Sequence, residues 1–429
     1  MGPSLFIEFI TKWFPSLAKM VEKVNGKRDG KLTYLHKDML RQEYSADQKW
    51  ESAAVDTTFV AADIVAMDSE LPLKKRDRIE AASGDLPKIG IKMRLGEKQI
   101  NNLNILKARG THYAQIVQKL VNDAVKCVTG IDERNEATFL QGLSEGIVLV
   151  KSDDDDKINI GAGIRVDFRY LEKNKYGVSK KWRGKDYTPI SDIKRVIEAS
   201  ENNVSIVMMS KETYDLMRKS TEAKELAANY SGILVLENSK LPVPLPDLFN
   251  SAFNAETGCT IKIVNRQVKV EINGQVKNIK PWNTNKVIFL PSEQVGALVY
   301  GTLAEETNPV NGVNYQKANP YVLVSKYSKN DPLQEFTSAQ AICLPIIENV
   351  DQIFQMDITE ALKVADNEIE GDANITLWEQ VYVKATVITA LKELGVAVGS
   401  GISDASLIKR INGLNAEQKE KLQEALASK

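Results

Sequence analysis

Between residues 97 and 129 apolar side chains recur every three or four positions. Leu103, Leu106, Tyr113, Val117, Leu120, Ala124 and Val128 form the stripe, with Gln, Lys, Asn and Asp between them. That is the pattern of an amphipathic helix. At 1.5 Å per residue an unbroken helix of this length approaches roughly 45–50 Å, about twice an ordinary one. Any fold of this chain must supply a long surface for it. Gly110 weakens the first half and is expected to bend or end the helix, and Gly130 is placed to stop it in a left-handed cap. Asp132, with Glu136 nearby, reads as the N-cap of a second helix, which runs through Leu140 and Leu143 to Gly146 and a strand.

The flanking segments change texture. From Ser52 to Leu95 short alternating runs surround a charged tip, Lys74, Lys75, Arg76, Asp77 and Arg78, which predicts a long two-stranded arm. An isolated hairpin is marginal in water, so the arm lies either on its own domain or on a neighbouring copy. Residues 192–231 predict helix, strand, helix: ISDIKRVIEAS behind a Ser191/Asp192 cap, VSIVMMS as a buried strand, and KETYDLMRKSTEAKELAANY as one polar helix. A crossover with Pro242, Pro244 and Pro246 leads to a meander in which Asn273-Gly274 signals a type I′ turn. Strand patterns return at 321–328 and 342–358. At Asp366 an acidic stretch, DNEIEGDAN, introduces helical patterns beginning with TLWEQVYVKATVITALKELG.

At the N-terminus Phe6, Phe9, Ile10, Trp13, Leu17, Met20, Val21 and Val24 fall on one helical face, broken at Pro15. Glu8 and Lys12 interrupt it too early for a signal peptide. The face suits docking on a neighbouring subunit or a membrane surface.

Few reactive constellations are present. A chain of 429 residues has room for two or three domains, and a net charge of −1 argues against a dedicated duplex binder. Cys127, Cys259 and Cys343 are far apart, without C-x-x-C spacing. Two histidines, His36 and His112, leave little for His-based triads or metal sites. Asp153 to Asp156 lack the spaced oxygens and turn glycine of an EF-hand loop and read as a solvated turn. Gly161-Ala162-Gly163 opens no helix and is not a dinucleotide fingerprint. No catalytic residue, cofactor or metal is expected, although paired-acid hydrolysis by scattered carboxylates stays open.

The stretch WNTNKVIFLPSEQVGALVYGTLAEE, residues 282–306, holds no thiol, imidazole or phosphate loop. Trp282 leads into an alternating strand (Val287, Phe289), then Pro291, Gly296, the pair Tyr300-Gly301, and Glu305 with Glu306. It reads as an element that positions chain against chain. It resembles the late A-domain region of tailed-bacteriophage major capsid proteins of the lambda major head protein type. The pattern Ile131, Arg134, Glu136, Leu143 and Gly146 is similar to the spine-helix region of the same family.

The resemblance, over roughly residues 50–360, implies an α+β fold, the phage major capsid or Hong Kong ninety-seven fold. Its parts would be an N-terminal arm with amphipathic helix (1–51), an E-loop hairpin (52–95), a P-domain with long spine helix (96–190), an A-domain (191–340) and P-domain return strands (341–365). The C-terminal helical appendage (366–429) lies beyond the family pattern, and the first 50 residues depart from it as well. The implied role is a structural one, many copies closing into an icosahedral shell around double-stranded DNA. Implied partners are the chain itself as hexamers and pentamers, scaffold, portal and decoration proteins, and packaged DNA contacted without sequence specificity, with no membrane. The implied location is the virion capsid, assembled in the bacterial host cytoplasm. Leu71, Lys74, Lys75, Arg76, Arg78 and Ile89 would make the inter-subunit arm contact, and Trp282, Pro291, Gly296, Tyr300, Gly301 and Glu305 the A-domain packing. Some members of the wider fold crosslink Lys to Asn, and Lys74, Lys75 and Asn349 are of suitable type. An encapsulin-like cargo shell would share the fold and differ in what it encloses.

Overall fold

A computed structural model describes residues 2–19, 34–55, 79–109, 113–150, 164–201, 203–232, 241–272 and 275–362, with shorter runs between 374 and 422. The chain divides into two compact units, Met1–Leu362 and Lys363–Lys429.

In the first unit the predicted long helix is two helices, Glu97–Ala108 and the 33-residue Tyr113–Glu145. Gly130 and Asp132, expected to end one helix and cap the next, both lie inside the longer. Packing explains this. A Cβ on Gly130 would stand 3.2 Å from Ile91 Cδ1, so the glycine gives the neighbouring strand room to lie close. Asp132 is buried and accepts hydrogen bonds from Lys37 Nζ and Tyr321 Oη. The stop comes at Gly146, in the left-handed region at φ +75°, whose N–H donates to the Gly142 carbonyl at 2.7 Å.

The helix packs on a six-stranded sheet whose hub is Gln334–Ile347. The hub pairs antiparallel with Lys88–Leu95, with Gly296–Gly301 and with Val322–Lys329. Asn314–Asn319 extends the sheet beyond Val322–Lys329, and Leu40–Tyr44 runs parallel to Gly296–Gly301. Leu120, Ala124, Cys127 and Ile131 of the helix share one core with Val324, Ala339 and Ala341 of the sheet. The N-terminal helix Ile7–Trp13 and its 3-10 turn Phe14–Ser16 at Pro15 join the same core. Phe6, Phe9, Ile10 and Leu17 are buried there, so this chain itself covers the described part of that apolar face.

A second sheet runs in the order Lys175–Val178, Phe354–Ala361, Lys286–Leu290, Ile206–Ser210, Thr260–Val264. Helices Pro189–Ala199, Lys211–Lys219, Thr221–Tyr230 and Pro246–Thr257 accompany it. Val207, Val287 and Phe289 pack with Tyr214, Phe249 and Phe253 in one core, while Met208, Ile288 and Leu290 belong to the core of the long helix. The alternation at Val287 and Phe289 therefore separates two cores, not core from solvent. The polar helix expected after the strand is broken at Ser220, whose Oγ accepts from Ala223 N at 3.2 Å and starts a new helix. The preceding helix begins at Pro189, with Thr188 as N-cap in place of Ser191/Asp192. Asp192 is instead buried, accepting from Ser179 N at 2.8 Å and Trp182 Nε1 at 3.0 Å.

Divisions drawn from sequence meet these elements unevenly. Position 191 falls inside helix Pro189–Ala199, and 340 inside the hub strand. Lys49–Val55 pairs with Ile79–Asp85, but Lys88–Leu95 belongs to the central sheet, so the hairpin ends at Asp85 and not Leu95. Ile89 sits opposite Ala341. Leu71, Lys74, Lys75, Arg76 and Arg78 lie outside the described residues, as do Asp153 to Asp156, Gly161 and Asn273-Gly274.

In the second unit Asn374–Leu377 pairs antiparallel with Gln380–Val383, where a helix was expected. Ile375, Val381, Tyr382 and Val383 are strand formers, and they outweigh the helical spacing. Val387, Leu391, Leu407, Ile411 and Leu422 form a small separate core. Among the described residues no helix is long and apolar enough to cross a membrane.

Candidate functional site

Among the described residues no cluster of three or more His, Cys, Asp or Glu side chains is placed to hold a metal ion. All three thiols are buried, and burial pushes Cys127 and Cys343 up to about 12. The distinctive features are close backbone contacts and buried polar anchors.

The segment 282–306 is mostly interior. Trp282 is buried in the core of the long helix, and Ser205 Oγ donates to the Pro291 carbonyl. Gly296 lies between Leu40 and Ile347, where a Cβ would stand 2.0 Å from the Ile346 carbonyl oxygen. Tyr300 has ring neighbours in Tyr44 at 5.7 Å and Tyr321 at 6.1 Å. A Cβ on Gly301 would meet Gln48 Cγ at 3.0 Å. Glu305 accepts from Gln340 Nε2 at 3.2 Å and stands 4.0 Å from Lys88 Nζ. It borders a groove of about 530 Å³ with Lys92, Tyr315 and Tyr327.

Two anchors hold the N-terminal segment, and sequence reasoning missed both. On the long helix Glu136, fully buried, accepts from Leu35 N at 3.1 Å and His36 N at 3.0 Å, with His36 Nδ1 at 2.7 Å. Beside it Tyr34 Oη donates to Glu133 at 2.9 Å, and the Arg266 guanidinium pairs with Glu133 and lies 4.8 Å from the Tyr34 ring centre. Burial, then Glu133, pushes the Tyr34 hydroxyl far up. The available signal was three carboxylates, Asp132, Glu133 and Glu136, on a helix otherwise destined for a core. The other anchor is Glu335 on the hub strand, which accepts from Ser4 Oγ and from Leu5 N at 2.9 Å.

Near Glu335 stands Lys326, fully buried, with no hydrogen-bond partner for Nζ among the described residues. Burial lowers it to about 8, against the opposing pull of Glu335, Asp123 and Cys127. In the unfolded chain lysine keeps its proton to roughly pH 10.4. Between about pH 8 and that value the unfolded state binds more protons, so this group's contribution makes stability rise with pH. Denaturant titrations from pH 7.5 to 10 should show the rise as a difference between wild type and Lys326→Met. Parallel pH profiles for the two proteins would contradict it.

The profile of the phage major capsid protein E family matches residues 17–358, which take in the Glu136 anchor, the long helix and most of both sheets. The chain belongs to that family. Among solved structures, this phage major capsid protein E family member is similar to the putative capsid protein of a prophage of E. coli CFT073, with 11% identity over 83% of this chain and 99% of that one, at a TM-score of 0.49. It is also similar to a phage-related protein of Bordetella bronchiseptica RB50, with 10% identity over 80% and 97% and a TM-score of 0.44. The capsid of Myoviridae phage XM1 matches at 10% identity over 76% and 92%, with a TM-score of 0.40. No curated protein matches. The chain is thus a structural capsid protein with an α+β capsid-type fold, in a phage-related context.

Proposed function

We propose that this protein closes in many copies, as hexamers and pentamers, into the icosahedral shell that encloses a tailed phage's double-stranded DNA. The observation that carries this is the family match across residues 17–358. In this proposal the fold is of the Hong Kong ninety-seven type. Tyr113–Glu145 serves as the spine helix of a P-domain completed by the central sheet, and the second sheet with its four helices is the A-domain. The role is structural and not catalytic, and the shell is held by distributed apolar and complementary surfaces of the kind obligate interfaces use. Scaffold, portal and decoration proteins, and DNA held without sequence specificity, are its partners. The shell is built in the bacterial cytoplasm and becomes the virion capsid.

The hairpin Lys49–Val55 and Ile79–Asp85 is the base of an E-loop that reaches a neighbour, with Lys74, Lys75, Arg76 and Arg78 at its contact. Charge reversal by Lys75→Glu with Arg76→Glu is therefore expected to move the protein from fast-sedimenting particles to the soluble pool, at least tenfold by sedimentation. Normal assembly of the double variant would remove the charged contact from the account. Nuclease-protected DNA inside particles made during infection is the expected cargo, and protein cargo without DNA would point to an encapsulin-like shell.

A further inference from the structure

A cleft of about 40 Å³ lies where the first turn of helix Lys211–Lys219 meets the loop through Asn265, Arg266 and Gln267, and Lys280, Trp282 and Thr284 also line it. It exceeds the roughly 10–15 Å³ that one water needs and suits a small polar head group. The unsatisfied groups around it share one chemistry. Trp282 Nε1 and Arg266 Nε are both buried with no hydrogen-bond partner among the described residues, and both can only donate. Trp282 is 3% exposed. A buried donor without an acceptor costs about 1–3 kcal/mol, so an acceptor completes the site.

Charge narrows the choice. Lys211 is paired with Asp215, Glu212 with Arg183, and Arg266 with Glu133. Lys280 is exposed and makes no ion pair among the described residues. The nine-residue helix is N-capped by Ser210, whose Oγ takes the Thr213 N–H at 3.1 Å. The Lys211 N–H continues the parallel ladder to Val264, and the Glu212 N–H, which has no intrahelical acceptor, lies at the positive end of the helix dipole, about half a charge. A free ammonium, a helix N-terminus and two orphan donors together call for an anion with several acceptor oxygens.

We propose that this cleft is a phosphate-binding site, with Lys280, Trp282 Nε1, Arg266 Nε and the first turn of helix Lys211–Lys219 as its donors. The phosphate is either free or a phosphodiester of nucleic acid. Calorimetric titration of the full chain with inorganic phosphate, at ionic strength held constant with chloride, should give a saturable single-site heat. Lys280→Gln should weaken binding at least tenfold, and Lys280→Arg should retain it. Trp282→Phe should weaken it as well, and should that variant fail to fold, the two Lys280 variants decide alone. No saturable heat in the wild type, or equal binding by Lys280→Gln, would overturn the proposal. Displacement of phosphate by a short single-stranded oligonucleotide assigns the site to a nucleic-acid backbone, and failure to displace assigns it to the free anion; either result keeps the site.

Discussion

Gly296→Val is expected to yield no soluble folded protein. A Cβ at this position would stand 2.0 Å from the Ile346 carbonyl oxygen, well inside any real contact. The obstacle is backbone, so no rotamer change relieves it. Gly296 is flanked by Leu40 on one strand and Ile347 on the hub, and Ala297 and Leu298 beside it are buried. Moving the strand away would strip both neighbours of their ladder bonds. Overpacking where side chains can adjust costs about 1–3 kcal/mol, and the cost here must exceed that, against a total stability of roughly 5–15 kcal/mol for a typical domain. Soluble yield and circular dichroism check it. Gly232→Val, a glycine whose added Cβ would meet nothing within 4 Å but whose φ is +70°, separates backbone strain from collision, because it should cost only strain and leave a folded protein. A folded, soluble Gly296→Val protein would mean that the register at Gly296 is wrong.

Glu136→Ala should destabilise the unassembled chain by about 3–5 kcal/mol, the cost of removing one member of a buried polar pair. The carboxylate accepts from two backbone N–H groups and lies against the imidazole Nδ1. His36 is already short of one partner, since Nε2 has none among the described residues. Truncation would leave the buried His36 N–H and ring Nδ1 without their acceptor, together with the part-buried Leu35 N–H. Glu136→Gln keeps one oxygen as acceptor and should lose about 1–3 kcal/mol, the range for an unsatisfied buried group. Denaturant midpoints of the three proteins at one pH are the test. A Glu136→Ala midpoint within error of wild type would show that the segment Tyr34–Met39 is held elsewhere.

Sequence periodicity located the long amphipathic helix, the strand through Val287 and Phe289, the strand near 321–328 and the α/β alternation of residues 192–231, because those depend on local spacing of apolar residues. It misplaced what tertiary contacts decide. Gly130 looked like a helix stop, yet Ile91 packs against it and the helix continues. Asp132 looked like a cap because a cap and a buried hydrogen-bond acceptor are the same residue in sequence, and Tyr321, which distinguishes them, is 189 positions away. Lys88–Leu95 alternates like an arm strand, and only its pairing with Gln334–Ile347 shows that it belongs to the central sheet. In the segment 282–306, Trp282, Gly296 and Tyr300 stood out early, but the close approach behind Gly296 comes from Ile346 and was not legible. The N-terminal anchors were invisible for the same reason, since Ser4 meets Glu335 across 331 positions.

The central claim is self-assembly, and electron microscopy of the full chain, expressed alone and again with the scaffold protein of its gene cluster, tests it most directly. The account predicts closed shells or ring-shaped capsomers in the fast-sedimenting fraction. A monodisperse monomer or dimer that persists with the scaffold present would contradict it.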